Sequence, residues 1–334
     1  MNIMNLFEYA TLISNKVDYY IFNTIKGRPA ELYEASLHYL KAGGKRLRPL
    51  ISVLSCRIAG GGEDVAIPGA AAVEVLHTFT LVHDDIIDKD DFRRGVPTVH
   101  RLWGIDMAIL AGDTLHAYAY KCLLGAIELG IPLERVLKSV EYLTKATITI
   151  AEGQALDMLL PLRQNINPED YIEMVNKKTA ALFAASSAIG ATLAGAKEET
   201  VKKLQEIMIY AGIAFQIRDD ILGLLGDEKV LGKPVYSDLR EGKMTILVIY
   251  AYNKASDDEK KKMRLILGNR AASIEELREV ADIIKRLGAI EYADSLADSY
   301  AEKAVSMLRT IESVDSEALD MLKDVVEFMV KRNY

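Results

Sequence analysis

Two short runs of paired aspartates have the residue types and spacing for chemistry. The first is Leu81-Val82-His83-Asp84-Asp85-Ile86-Ile87-Asp88, continued by Asp90 and Asp91. The second is Phe215-Gln216-Ile217-Arg218-Asp219-Asp220-Ile221-Leu222-Gly223, with Asp227 beyond it. On a helix, Asp84 and Asp88 share one face, with Cβ atoms about 5–6 Å apart. Carboxylates so placed suit a hard cation: Mg²⁺ takes one or two of them, several waters and the oxygens of a bound phosphate. A solvated acidic helix end would look the same in isolation. The stretch before Asp84 argues against that, because most of its fourteen residues are apolar and mark a core helix. The second run likewise follows an apolar stretch, 207–215. Either run alone is weak. Two runs about 130 residues apart, both ending apolar helices, fit acids that face one another across the mouth of a helical bundle.

Carboxylates with Mg²⁺ imply a phosphate-bearing ligand, and the chain supplies basic partners. Gly43-Gly44-Lys45-Arg46-Leu47-Arg48-Pro49 puts three cations and two flexible glycines before a helix. Glycine lets backbone approach an anion closely, and Arg grips phosphate with a two-pronged fork. Phe92-Arg93-Arg94-Gly95 follows the first acid run, and Lys177-Lys178-Thr179, Gly232-Lys233-Pro234 and Gly242-Lys243-Met244-Thr245 come later. None of these is a Walker loop or a Rossmann glycine pattern, so nucleotide binding is not indicated.

The elements that must position these groups are helical. Apolar residues recur at three- and four-residue spacing over 66–91, 105–128, 132–160, 168–193 and 198–225, and no clean alternating strand pattern appears. The prolines (8) sit mostly at breaks: Pro29, Pro49, Pro68, Pro97, Pro132, Pro161, Pro168 and Pro234. Half of the 334 residues are hydrophobic, enough for a sizeable core, and no internal repeat or low-complexity linker divides the chain. The expectation is an all-α fold, a single large helical bundle with a deep central cavity over residues 1–334. Its catalytic core would cover about 40–250, with amphipathic helices over 255–334 packed outside it.

Composition excludes several other classes. Net charge is −7 and the 41 basic residues are scattered, which argues against nucleic acid as a partner. Cys56 and Cys122 have no metal-site spacing, so neither a disulfide scaffold nor a zinc site is expected, and a reducing cytoplasm fits. The N-terminal residues lack a signal-peptide pattern. No uninterrupted apolar run of about 18 residues occurs, so no membrane span is expected.

The ordered set GGKRLRP, HTFTLVHDDIIDKDDFRRGVPTVH, GQALDM, KKTAALF, FQIRDDILGLLGD and GKPVYSDLREGK resembles the trans-isoprenyl (polyprenyl) diphosphate synthases, in particular the archaeal-type short-chain geranylgeranyl diphosphate synthases. The resemblance covers about residues 40–250 and is very specific as a combination. It implies an isoprenoid synthase-like bundle that condenses isopentenyl diphosphate with allylic diphosphates, using about three Mg²⁺ per site. By the same resemblance Asp84 and Asp88 hold two of the ions and Asp219 the third, with Asp85 and Asp220 in support. Lys45, Arg48, His77 and Arg94 would bind isopentenyl diphosphate; Arg93, Lys178, Lys233 and Lys243 would clamp the allylic diphosphate; Thr179 and Gln216 would line the reacting carbon. Gln154 and Asp157 match a polar pair near the site. Phe79, with the smaller Thr80 beside it, matches the position that acts as a floor under the growing chain, which implies a C20 product.

Plainer readings stand beside several of these. His77 is either a ligand or a core histidine; two helical turns before Asp84, it lies near the same face, which favours the ligand. His38, His83, His100 and His116 are read as structural. Thr179 is also placed to bond back to its own helix, Gln154 and Asp157 to pair on a surface, and Phe79 to be one more core aromatic. A farnesyl or longer product remains an alternative. A terpene cyclase would not need the Lys45–Arg48 cations, and a non-catalytic partner subunit would be expected to have lost acids from its first run. Two residues depart from the family pattern: Gly223 stands where many members have a last aspartate, and Leu247 where a proline is common. A homodimer is expected, since paired subunits are the commonest closed assembly.

Overall fold

A computed structural model describes residues 5–163, 165–225 and 235–330. The fold is all-α. Helices α1 (Leu6–Thr24), α2 (Ala30–Lys41), α3 (Leu47–Ile58) and α4 (Glu63–Asp88) come first. A two-strand hairpin follows, β1 (Phe92–Arg93) pairing antiparallel with β2 (Val96–Pro97). Then come α5 (Val99–Trp103), α6 (Ile105–Leu124), α7 (Leu133–Leu159), α8 (Pro168–Val175), a π-helical turn (Asn176–Ala180), α9 (Ala181–Ala194) and α10 (Glu198–Leu225). Beyond these lie α11 (Ser237–Glu241), α12 (Ile246–Lys254), α13 (Asp257–Ile266), α14 (Ile274–Arg286), α15 (Ala289–Leu308) and α16 (Ser316–Val330).

The caps explain many of the starts. Asn5 and Glu8 form a reciprocal capping box on α1, Asn167 and Asp170 on α8 behind Pro168, and Ser256 with Glu259 on α13. Each satisfies amides that a first turn leaves without partners. Pro68 is not at a break: it lies inside α4, where its ring removes one intrahelical hydrogen bond within the second turn. The hairpin was not foreseen, because two-residue strands are too short to show alternation.

The chain divides into two compact units. The first gathers Met1–Ile148, Leu182–Met208 and Val305–Val326. At its centre α4 packs against α1, α3 and α6. By length and composition α4 is apolar enough to cross a membrane. Yet 72 % of that stretch is buried against protein, which is the condition of a core helix. The second unit gathers Thr149–Ala181, Ile209–Ala304 and Glu327–Tyr334. Its core joins Tyr171 and Val175 of α8, Ile217 and Ile221 of α10, Leu247 and Val248 of α12, and Val280 and Ile284 of α14.

Candidate active site

In the first unit, α4 carries the acids to its own end. Asp84 and Asp88 are half-buried one turn apart, and the helix stops at Lys89, whose backbone is left-handed (φ 56°). Asp85 points elsewhere, as the 100° step between neighbours on a helix requires. It is completely buried. The Tyr39 hydroxyl donates to one of its oxygens, and Arg93 donates to the other through Nε at 2.6 Å and Nη2 at 2.5 Å. Tyr39 in turn accepts from the Val99 amide at 3.2 Å. Asp85 therefore ties the end of α4 to α2, to the hairpin and to α5.

The expected isopentenyl diphosphate residues gather around His77. Burial, and then Arg48, Arg94, Arg93 and Arg46 in that order, push its imidazole well below the ordinary histidine value. His77 thus lies among the charges of four guanidiniums, which disfavour its protonation. Arg94 donates to the carbonyls of Gly43 and Tyr39. Burial lowers its guanidinium pKa, opposed by Glu74 and aided by Arg46 and Arg93. Arg48 lies with its guanidinium carbon 4.2 Å from the centre of the Phe183 ring, and Lys45 is exposed. Arg46, between them, has a different part. Only 3 % exposed, it donates to Asp18 and Glu74, both at 2.9 Å, and to the Leu40 carbonyl at 2.8 Å.

Phe79 sits in an aromatic run of the same unit. Its ring centre is 4.9 Å from His83, edge-on, and 5.2 Å from His116, which lies 5.3 Å from Tyr120. Thr80 bonds back to the His77 carbonyl at 2.8 Å. Of the other histidines, His83 contacts the Ile109 carbonyl at 3.1 Å and His38 the Pro97 carbonyl at 2.8 Å, while His100 is half-buried.

In the second unit, Lys178 and Thr179 lie on the π-helical turn. Such turns are rare and are frequent at functional sites. Gly153 of α7 makes room for this one: a Cβ there would lie 2.3 Å from the Lys178 amide nitrogen. Lys178 pairs with Asp157 at 2.7 Å. Gln154, one turn earlier on α7, keeps its side-chain nitrogen buried without a hydrogen-bond partner among the described residues. Thr179 donates to Gln216 at 3.0 Å, Gln216 to Asp220 at 2.9 Å, and Tyr171 to the other Asp220 oxygen at 2.6 Å. The Thr179 hydroxyl is thus turned to Gln216 rather than back along its own helix. Burial first, then the neighbouring charges of Asp238 and, more weakly, Asp219, push the Asp220 carboxyl up to about 7, against the donors Tyr171 and Gln216. Lys178, Thr179, Gln216, Asp220, Asp238 and Lys243 line one cavity of about 100 Å³. Lys243 reaches it from the turn after α11, where its amide bonds the Asp238 carbonyl at 2.9 Å and its ammonium lies 2.8 Å from Glu241. Asp219 is half-buried on α10, and Lys233 lies outside the described residues.

The first unit therefore brings Arg48, His77, Arg93 and Arg94 together, and the second brings Lys178, Thr179, Gln216 and Lys243 together. Sequence reasoning gave no part to Tyr39, Tyr171, Glu74 or Asp238. Only Asp238 left a signal, as an acid inside the quoted GKPVYSDLREGK. Among the described residues no three His, Cys, Asp or Glu side chains converge into a metal-holding group.

Comparison with known proteins fits this geometry. The polyprenyl synthetase family model matches residues 29–284. The chain is similar to geranylgeranyl diphosphate synthase of Sulfolobus acidocaldarius, at 48 % identity over 98 % of this chain and 99 % of that one. It is also similar to geranylfarnesyl diphosphate synthase of Aeropyrum pernix, at 47 % identity over 95 % and 99 %. Among solved structures, geranylgeranyl pyrophosphate synthetase from Pyrococcus horikoshii superimposes with a TM-score of 0.90 at 40 % identity, covering 98 % of each chain. Geranylgeranyl pyrophosphate synthase from Corynebacterium glutamicum, complexed with isoprenyl diphosphate and magnesium, does so with a TM-score of 0.89 at 27 % identity, over 99 % of this chain and 100 % of that one.

Proposed function

The chain belongs to the polyprenyl synthetase family, and on that footing we propose that it is a Mg²⁺-dependent prenyltransferase that joins isopentenyl diphosphate head-to-tail, in trans, to an allylic diphosphate and gives geranylgeranyl diphosphate. The observation that carries the proposal is the crowding of guanidiniums around a neutral His77 in a chain of net charge −7. Positive charge concentrated against the trend of the whole molecule is a binding surface for a diphosphate. Lys45, Arg48, His77 and Arg94 would take the diphosphate of isopentenyl diphosphate. Arg93, Lys178, Lys233 and Lys243 would take that of the allylic substrate.

The donors fit the cation. Asp84, Asp88 and Asp219 offer hard carboxylate oxygens at half-buried positions. Mg²⁺ favours one or two such groups with waters and substrate phosphate over an all-protein cage. When bound, about three such ions would neutralise the charge that grows on the departing pyrophosphate. The chain's own groups do the rest. Arg93 is fixed by Asp85 and Lys178 by Asp157, so that each would offer a positioned cation to a departing pyrophosphate. Thr179 and Gln216, joined by a 3.0 Å hydrogen bond, would offer an oriented dipole to the allylic carbon as its bond to oxygen breaks. The isopentenyl double bond then attacks that carbon. No side-chain base is evident, so the released pyrophosphate would take the proton. Phe79 would form the floor that stops growth at C20.

We further assign the whole chain to one catalytic domain, a cytoplasmic setting and a homodimer. The dimer is supported by large apolar side chains left exposed on the first unit, including Ile105, Ile109 and Leu110 of α6 and Leu133 and Leu137 of α7. The deciding experiment is incubation of the purified chain with Mg²⁺, isopentenyl diphosphate and farnesyl diphosphate. A C20 diphosphate is the expected product. A cyclic hydrocarbon would mean a terpene cyclase, and no turnover a non-catalytic partner subunit.

A further inference from the structure

Arg218 stands inside the second acid run, immediately before Asp219, yet it is not among the residues that line the cavity beside it. Its side chain is only 14 % exposed and reaches two other helices. Nη1 donates to Asp294 and Nη2 to Asp298 at 2.6 Å, both on α15. Nε donates to the carbonyl of Val330, the last residue of α16, at 3.2 Å. All four residues belong to the second unit. Asp294 and Asp298 are four apart and share one helical face, and the fork of a guanidinium matches two such acceptors. The last carbonyls of a helix have no intrahelical partner, so Arg218 also caps α16. The register is the same on both sides. Ile217 of α10 and Ala293 and Ala297 of α15 are buried in one core, and the charged residues stand one position further along each helix.

The rotation of α10 about its axis decides which carboxylates face the cavity, because neighbours on a helix differ by 100°. Tyr171 and Gln216 hold Asp220 on one side. Arg218, two steps away, holds the nearly opposite side. We infer that Arg218 is a positioning residue: by tying α10 to α15 and to the end of α16, it fixes the angle at which Asp219 meets the divalent cation of the diphosphate. This rests on the diphosphate-synthase reading above. It gives the C-terminal helices a part in the reaction, although no described residue of α15 or α16 lines that cavity. The sign of one measurement separates this from simpler roles. As a bare charge beside Asp219, Arg218 would compete with a cation, and its removal would lower the Mg²⁺ requirement. As a packing group alone, its removal would lower the thermal midpoint and leave that requirement unchanged. As a positioning residue, its removal raises the requirement.

Three variants of the full chain test this. Arg218→Gln removes the charge and the fork. Arg218→Lys keeps the charge without the fork. Asp294→Asn with Asp298→Asn removes the acceptors' charge and leaves α10 untouched, so the test stands even where an Arg218 variant fails to fold. The first readout is the Mg²⁺ concentration that half-saturates the thermal stabilisation of the protein by inorganic pyrophosphate. The second is the Mg²⁺ concentration that half-saturates condensation. Arg218→Gln should raise both about tenfold. Arg218→Lys should keep most of that rise, and the double aspartate variant should shift both in the same direction. The KM for isopentenyl diphosphate should change little, since its proposed ligands Lys45, Arg48, His77 and Arg94 belong to the first unit. Unchanged or lowered Mg²⁺ requirements in folded Arg218→Gln, or unchanged ones in the double variant, would overturn the inference and leave the synthase reading intact. Full recovery in Arg218→Lys would do the same, because charge alone would then suffice, and so would an equal rise in the isopentenyl KM, the mark of general loosening. A parent protein with no Mg²⁺-dependent response to pyrophosphate and no turnover would overturn both.

Discussion

Replacing Arg46 tests how the loop proposed to bind phosphate is built. Its neighbours Lys45 and Arg48 are assigned to isopentenyl diphosphate, but Arg46 turns inward and its backbone is left-handed (φ 47°). For a residue with a Cβ that conformation costs about 1–2 kcal/mol, so the fold must hold it there. The hold is the guanidinium, bonded to Asp18, Glu74 and the Leu40 carbonyl. Burial opposes the charge, yet Glu74 and Asp18 outweigh it and raise the Arg46 pKa. Arg46→Met should leave Glu74, only 2 % exposed, without its hydrogen-bonded guanidinium, with Arg94 the remaining cation that feels its charge. Breaking one side of such a pair costs about 3–5 kcal/mol. Asp18, whose side chain is 26 % exposed, can turn to water and adds little. Adding Glu74→Met removes the stranded charge, and the double variant should regain about 2 kcal/mol or more.

Urea unfolding measures those differences, and steady-state kinetics measure the second half of the argument. Without its anchor the loop relaxes, Lys45 and Arg48 move, and the KM for isopentenyl diphosphate should rise about tenfold, the loss of one charge-assisted bond. The rise should persist in the double variant even where stability has returned, and the allylic KM should change far less. A single variant destabilised by less than about 1 kcal/mol would refute the buried-pair reasoning. An unchanged isopentenyl KM in the double variant would refute the positioning role.

Three further outcomes are expected. Asp84→Ala should abolish turnover with little change in thermal midpoint, because Asp84 is half-buried and takes no part in the core; an active Asp84→Ala enzyme would remove it from the metal site. Phe79→Ala should open the floor towards His116 and shift products beyond C20, at a stability cost of at most about 3–5 kcal/mol; an unchanged product length from a folded variant would place the floor elsewhere. Cys56 and Cys122 are fully buried, and burial raises both thiols to about 12. Their thiolate fraction at pH 8 is then about 10⁻⁴, so a disulfide reagent should label none in the native protein and both after denaturation. Since the folded values lie above the unfolded value of about 8.5, the matching stability is complete below that pH and is lost as pH rises towards 12.

The parts of this fold that were legible from sequence are those fixed by local pattern. The periodicity over 198–225 coincides with α10, and the apolar approach to Asp84 marks α4 as a core helix. What was not legible depends on partners distant in sequence. The π-helical turn under Lys178 and Thr179 is accommodated by the side-chain-free surface of Gly153 on another helix. In GGKRLRP three cations look alike as letters; burial alone separates Arg46, an internal strut, from the exposed Lys45 and half-buried Arg48. Leu247, unexplained in the sequence, lies buried in the first turn of α12, where a proline is also tolerated because early amides have no intrahelical partner.

The paired aspartates divide their labour in the same way twice. In each run the first acid, Asp84 or Asp219, is half-buried, and the second, Asp85 or Asp220, is turned inward and bonded by a tyrosine, Tyr39 or Tyr171. The 100° step of a helix makes this division unavoidable: two adjacent carboxylates cannot face the same ligand, so one can serve it while the other fixes the helix end. The two anchors differ in how their charge is met. Asp85 has the guanidinium of Arg93, which makes it a strut and makes Arg93 a positioned cation in one contact. Asp220 has the neutral donors Tyr171 and Gln216, and the charge of Asp238 beside it. Around Asp220, then, the direct donors are neutral and the nearest charges that shift it, Asp238 and Asp219, are themselves acidic.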